Sequence, residues 1–337
     1  MPALAVAAAL QAEGAHVSFI GGERAEAQLV PEAGFDLHTI SVRGLSRTNP
    51  LHAARASARA LWAVRRARKL LGELRPSAVM GGGGYVGGTV GLAALSRRLP
   101  LVLTEADSQL GLSNRALAPF ARRVCLAFPS AEHRGRRFLV TGRPVAATHD
   151  DRELARAHLK IPTNATCVLV FGGSLGARSI NLAAFDAFDG AAFNVLHVAG
   201  PRDYPELAAR GRASNYDLRE YLNLDEFADA LASADLVVAR AGGSVFELAA
   251  NGLPAILIPY PHASGDHQSA NARWMAEAGA AVVIADDQLT AARLAHDVAD
   301  LLGDHFRLSA MARAAAALAR PEAARLVAGE LLRAAGR

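Results

Sequence analysis

At 337 residues, 51% of them hydrophobic, the chain exceeds a usual single core and holds ample apolar material for two layered domains. Residues 1–150 carry 19 Lys and Arg against 10 Asp and Glu, whereas the remainder carries 17 against 22. A basic first half points to an anionic partner, such as a phosphate, a membrane or a nucleic acid; an arginine-rich but functionally neutral surface is the alternative.

The chain opens on an apolar, helix-like run at 2–10 that lacks the cationic segment of a signal peptide. β-like runs follow at 16–20, 37–42, 78–80, 101–104, 124–128 and 138–141. They resume at 167–171, 195–198, 236–239, 255–258 and 281–284. Most are continuous and β-branched rather than alternating, as in strands covered on both faces. Alanine- and arginine-rich helical segments separate them. The expected fold class is therefore α/β, with two doubly wound, Rossmann-like domains.

Within this series, 51–74 predicts a long helix. One face carries Ala54, Ala58, Leu61, Val64, Ala67, Leu71 and Leu74; another carries Arg55, Arg59, Trp62, Arg66 and Lys69. A tryptophan among cations suits an anionic bilayer surface, although a solvated basic face satisfies the same pattern. Residues 79–96 are uncharged, but seven glycines among them favour a loop over a membrane span. Cys125 and Cys167 lie in apolar β-like runs and read as core residues of a reducing compartment. A domain boundary is expected near GRPV at 142–145, and the tail at 321–337 is helical after a proline start.

Two strand-to-helix turns concentrate glycine: GGGGYVGGT at 81–89 and GGSLGA at 172–177. Such a turn brings backbone N–H groups and the positive end of a helix together, which suits a diphosphate. A third turn, RAGGSVFE at 240–247, offers the amides of Gly242, Gly243 and Ser244 to a phosphate and the Glu247 carboxylate to a ribose diol. A tight turn with a capping serine and a first-turn acid fits equally well. In PYPH at 259–262 and DHQSAN at 266–271, Gln268 and Asn271 are candidates for sugar hydroxyls, and His262 and His267 for phosphate or sugar. A polar loop is the plainer reading. In TEAD at 104–107, Glu105 and Asp107 are candidates for a general base or an acceptor contact, or simply surface caps. No Gly-Lys-Ser/Thr phosphate loop occurs, nor an Asp-x-Asp or His/Cys cluster, which argues against a P-loop NTPase and a metal-dependent transferase.

Taken together, these segments resemble the MurG family of bacterial glycosyltransferases. The likeness rests on PALAVA at 2–7, GGYVGG at 83–88, GRPV at 142–145, GGSLGAR at 172–178, RAGGSVFELAANGLPAILIPYPHA at 240–263 and DHQSANA at 266–272. It implies the GT-B architecture, two Rossmann-like domains facing a cleft. Residues 1–146, joined by the helix at 321–337, would bind acceptor and membrane; 147–320 would bind UDP-GlcNAc. The reaction implied is inverting transfer of GlcNAc to the MurNAc O4 of undecaprenyl-diphosphate-MurNAc-pentapeptide (lipid I), forming lipid II at the cytoplasmic face of the membrane. No cofactor, metal or nucleic acid is implied. By the same resemblance Ser174 would hold the diphosphate, the Leu222 backbone would face uracil, and Gly242, Gly243, Ser244 and Val245 would line the phosphates. Glu247 would bind ribose and Gln268 the GlcNAc.

Three positions depart from the family pattern. Its GGTGGH turn, just before the PALAVA-like helix, has no counterpart in the 337 residues, nor does the histidine favoured as base. The catalytic candidates left are Glu105 and Asp107. The family's His-Glu-x-Asn reads TEAD at 104–107, and the arginine after Gly-x-Pro-Val is Ala146, with Arg143 nearby as its substitute in binding substrate. The expectation is that the first strand and turn precede Met1. This form would then be poorly stable and nearly inactive, and about 15–20 upstream residues would restore it. Two rival readings are a UDP-sugar transferase with another lipid or small-molecule acceptor, and a non-catalytic nucleotide-sugar-binding protein.

Overall fold

A computed structural model describes residues 2–22, 25–40, 50–129, 135–146, 148–211 and 213–336, with the side chains of 25, 50–60 and 264 outside that description. The chain divides into two compact units, Met1–Ala146 with Arg320–Arg337, and Ala147–Ala319.

The first unit holds a parallel pair, β1 (Ser18–Gly21) and β2 (Asp36–Thr39). It also holds a four-stranded parallel sheet of β3 (Val79–Gly81), β4 (Leu101–Glu105), β5 (Arg123–Leu126) and β6 (Phe138–Val140), in that order. Successive side chains of a strand point to opposite faces. Leu101 and Leu103 accordingly pack with Leu71, Val90 and Ala94 of the helices Pro50–Leu74 and Gly84–Ser96. Val102 and Cys125 turn the other way, onto Val6 of the helix Pro2–Ala12 and Val327 and Leu331 of the helix Ala323–Ala334. Helices on both faces explain why the strand runs are continuously apolar.

The stretch 79–96, read as a loop rather than a membrane span and as a strand-to-helix turn at 81–89, is a strand, a turn and a helix. Gly91 makes that helix possible here, because a Cβ on it would stand 2.5 Å from Leu117. Among the described residues no helix is long and apolar enough to cross a membrane. The long helix buries Ala63, Ala67 and Leu71, but Leu61, expected on the apolar face, is as exposed as its neighbour Trp62. Arg66 lies 5.7 Å from the Trp62 ring. Arg55 and Arg59, expected on the same basic face, lie outside the described side chains.

The C-terminal helix is fastened to the first unit by a buried acid. Glu330 accepts from Arg123 Nε at 2.7 Å and Arg333 Nη2 at 2.5 Å. Burial pushes its carboxyl up, but the bonds from Arg333 and Arg123 outweigh that and hold it below the usual carboxylate range. A depressed folded pKa adds stability above the unfolded value of roughly 4.3, lost as pH falls through the folded one. Glu330→Gln should therefore lower Tm at pH 7, and the gap should close as pH is taken below about 4. A gap independent of pH would show that packing, rather than charge, makes the contribution.

The second unit is one six-stranded parallel sheet. It comprises β7 (Cys167–Phe171), β8 (Asn194–Val198), β9 (Tyr216–Arg219), β10 (Leu236–Ala239), β11 (Ala255–Leu257) and β12 (Ala281–Val283). The spatial order is β12-β11-β10-β7-β8-β9. The chain thus winds outward from β7 to one edge, then returns to β10 and winds to the other, as in the dinucleotide-binding fold. β9 had no counterpart among the predicted runs. It is an edge strand carrying Asp217 and Arg219, which pair with each other at 2.7 Å, so its hydrophobic signal is weak. Both cysteines are free and buried, and burial, the main cause, raises each thiol to about 12.

Candidate functional site

Strand order decides where the second unit can bind a ligand. In an open α/β sheet the crevice lies at the carboxyl ends of the strands where winding reverses, here between β7 and β10. GGSLGA follows β7 and RAGGS follows β10, so the two glycine turns of this unit flank that point.

The first of these turns is wedged against β8. The Gly176 amide closes it by donating to the Gly173 carbonyl at 2.9 Å. Gly176 has φ +75°, and a Cβ there would stand 1.9 Å from the Ala199 carbonyl oxygen. Asn181, in the helix Arg178–Ala187 that the turn opens, donates to that same oxygen at 2.8 Å and to Asp203 at 2.8 Å. Its own Oδ1 faces His197 Nε2 at 3.1 Å, and His197 Nδ1 lies 2.7 Å from the Tyr216 hydroxyl. Burial pushes the Asp203 carboxyl up, but bonds from Arg202, Asn181 and Arg178 hold it below its ordinary range. Ser174 stands exposed at the tip of a turn that this polar string keeps rigid.

Gly242, Gly243 and Ser244 form the turn after β10, and the Ser244 side chain makes no capping bond to the helix Val245–Ala250. Val245 is buried, and Glu247, half-buried, follows in that helix. Asn271 does not reach a ligand as expected: it is fully buried, and its Nδ2 holds the Ala241 carbonyl at 3.0 Å. Gln268 accepts from the Tyr260 amide at 2.9 Å, so its side chain offers a ligand N–H donors. The ring of His262 stands edge-on to Tyr260, 5.6 Å away. Leu222, also buried, follows β9 at the same sheet end.

In the first unit, Glu105 ends β4 and is buried. It accepts from the Gly111 amide at 2.8 Å, Asn114 Nδ2 at 3.0 Å and the Asp107 amide at 3.2 Å. A carboxylate taking three bonds from its own loop organises that loop, which differs from the expectation of a general base. Asp107 sits half-buried within the segment so held, and Arg143 is half-buried after β6. Residues the sequence did not single out are Ser179 and Asp286, which meet Arg240 beneath the turns. Only Arg240, placed directly after an apolar strand, gave any signal.

Comparison with known proteins identifies the family. The model of the glycosyltransferase family 28 N-terminal domain matches residues 1–126, and that of the family 28 C-terminal domain matches 167–327. A protein of Rubrobacter xylanophilus named UDP-N-acetylglucosamine–N-acetylmuramyl-(pentapeptide) pyrophosphoryl-undecaprenol N-acetylglucosamine transferase is 41% identical, covering 98% of this chain and 99% of its own length. A protein of the same name from Moorella thermoacetica is 40% identical over 96% of this chain and 92% of its own. The crystal structure of Acinetobacter baumannii MurG superposes with a TM-score of 0.74 at 29% identity, covering 98% of this chain and 95% of that one. With both domain models matched and such identity over nearly its full length, the chain has a two-domain GT-B-like fold and belongs to glycosyltransferase family 28, within the MurG family.

Proposed function

We propose that this chain transfers GlcNAc from UDP-GlcNAc to the MurNAc O4 of lipid I, forming lipid II with inversion at the anomeric carbon. The observation that carries the reading is that relatives named for this reaction align along nearly the whole chain, while the family 28 C-terminal domain model spans both switch-point turns. UDP-GlcNAc lies along the second unit. Ser174 and the turn Gly242–Val245 line the diphosphate, the Leu222 backbone meets uracil, Glu247 the ribose and Gln268 the sugar. The acceptor O4 attacks the anomeric carbon as its proton passes to Asp107, and the bond to UDP breaks. Fixed N–H donors stabilise the leaving diphosphate without reorganising. Arg143 serves the acceptor's own phosphates.

The enzyme works at the cytoplasmic face of the membrane, held peripherally. Supporting this are the exposed Leu61 and Trp62 beside Arg66 and Lys69, an apolar-and-cationic surface suited to anionic headgroups.

The test is transfer of label from UDP-GlcNAc to lipid I in anionic vesicles, with diacylglycerol vesicles as the competing acceptor. Lipid II should form, turnover should survive a chelator, and added salt should slow it. Preferential labelling of diacylglycerol would favour the rival acceptor, and binding without turnover would favour a nucleotide-sugar-binding protein. In the same preparation, Glu247→Ala should weaken UDP-GlcNAc binding by about 1–3 kcal/mol, the cost of losing a charged hydrogen-bond partner. Unchanged affinity in calorimetry would remove Glu247 from the site.

A further inference from the structure

Beneath the donor turns lies a charged cluster whose side chains bond to no position assigned to substrate. The Arg240 side chain is 10% exposed. Its Nη1 donates to Asp286 Oδ1 at 2.6 Å and to the carbonyls of Ile258 and Pro259 at 3.1 and 3.2 Å. Its Nη2 donates to Ser179 Oγ at 2.8 Å, and that hydroxyl donates onward to the same Asp286 oxygen at 2.7 Å. The guanidinium carbon lies 5.4 Å from the Tyr260 ring centroid.

A guanidinium so buried needs a counter-charge and a full set of acceptors, and a buried pair of this kind contributes little net stability. Its value lies in geometry. Arg240 joins the end of β10 to the 258–260 backbone, and the Tyr260 amide in turn holds Gln268. The phosphate-side turn has supports that do not use the guanidinium: Asn271 Nδ2 on the Ala241 carbonyl at 3.0 Å, and Ser244 Oγ on the backbone carbonyl of Arg240 at 3.5 Å.

We infer that Asp286, acting through Arg240, is a positioning residue for the sugar of the donor: it keeps the 258–260 segment and Gln268 in place without touching the substrate. The inference rests on the donor reading above. Neutralising Asp286 leaves the buried guanidinium undercompensated; as it shifts toward water its hold on the two carbonyls slackens, so the sugar contact loosens while the diphosphate contact persists.

The experiment is calorimetric titration of the full chain with UDP and with UDP-GlcNAc, alongside Tm. Asp286→Asn should keep UDP affinity within about twofold of wild type but weaken UDP-GlcNAc about tenfold, a difference near 1.4 kcal/mol. Asp286→Glu, which keeps the charge, should recover most of that loss. Equal weakening of both ligands with a matching fall in Tm, or no weakening of either, would overturn the positioning role while leaving the donor reading intact. A wild-type chain that binds neither ligand overturns the donor reading, and this inference falls with it.

Discussion

Gly176→Ala should cost the second unit its donor affinity, with UDP binding weakened at least about a hundredfold, or roughly 2.7 kcal/mol. Two effects add at this position. The left-handed backbone, φ +75°, costs an L-residue roughly 1–2 kcal/mol. The new methyl would also stand 1.9 Å from the Ala199 carbonyl oxygen, a fixed backbone atom of the neighbouring strand end. The turn must lift off β8, which breaks the hold of Asn181 on that carbonyl and moves Ser174. Tm should fall as well, by roughly 2–4 °C for each kcal/mol lost in a unit of this size. Gly173→Ala separates the two causes, since Gly173 shares the positive φ, +94°, but meets nothing within 4 Å. It should show the strain alone. If both variants bind UDP as the wild type does, the rigid turn is not the diphosphate cradle.

The other large effect is expected on turnover. Removing a general base costs typically 100- to 10,000-fold in rate, so Asp107→Ala should lower kcat into that range with Tm and UDP-GlcNAc affinity unchanged. Glu105→Ala should behave differently. It releases three donors that now converge on one buried carboxylate, leaving the Gly111 and Asp107 amides and the Asn114 side chain to find other partners. Its loss of kcat should come with a lower Tm, because the loop itself is disordered. Asp107→Ala within tenfold of wild type would mean that another group takes the proton. Glu105→Ala at full stability, with kcat as low as Asp107→Ala gives, would return Glu105 to the role of base.

The sequence by itself determined the class of fold and the location of its strand-end glycine turns. Continuous apolar runs such as 167–171 and 236–239 are local signals of strands covered on both faces, and they appear as β7 and β10 with those bounds. Glycine turns following such runs are local too, because positive φ and close approach exclude other residues regardless of what lies far away in the chain. The β9 strand was not legible, since an edge strand with an ion pair on one face lacks the apolar run. The helix at 84–96 was signalled by its glycine turn, but why Gly91 must be glycine shows only against Leu117, 2.5 Å from where a Cβ would stand. Only the tertiary structure decided the order of strands, which sets β7 beside β10 and brings two separate turns to the same point of the sheet edge. It decided that Glu105 is spent on its own loop and Asn271 on the Ala241 carbonyl. It also brought Ser179, Arg240 and Asp286 within hydrogen-bonding distance. Each of those outcomes depends on which residues meet after winding, and a pairing across dozens of residues leaves no periodic trace in the chain.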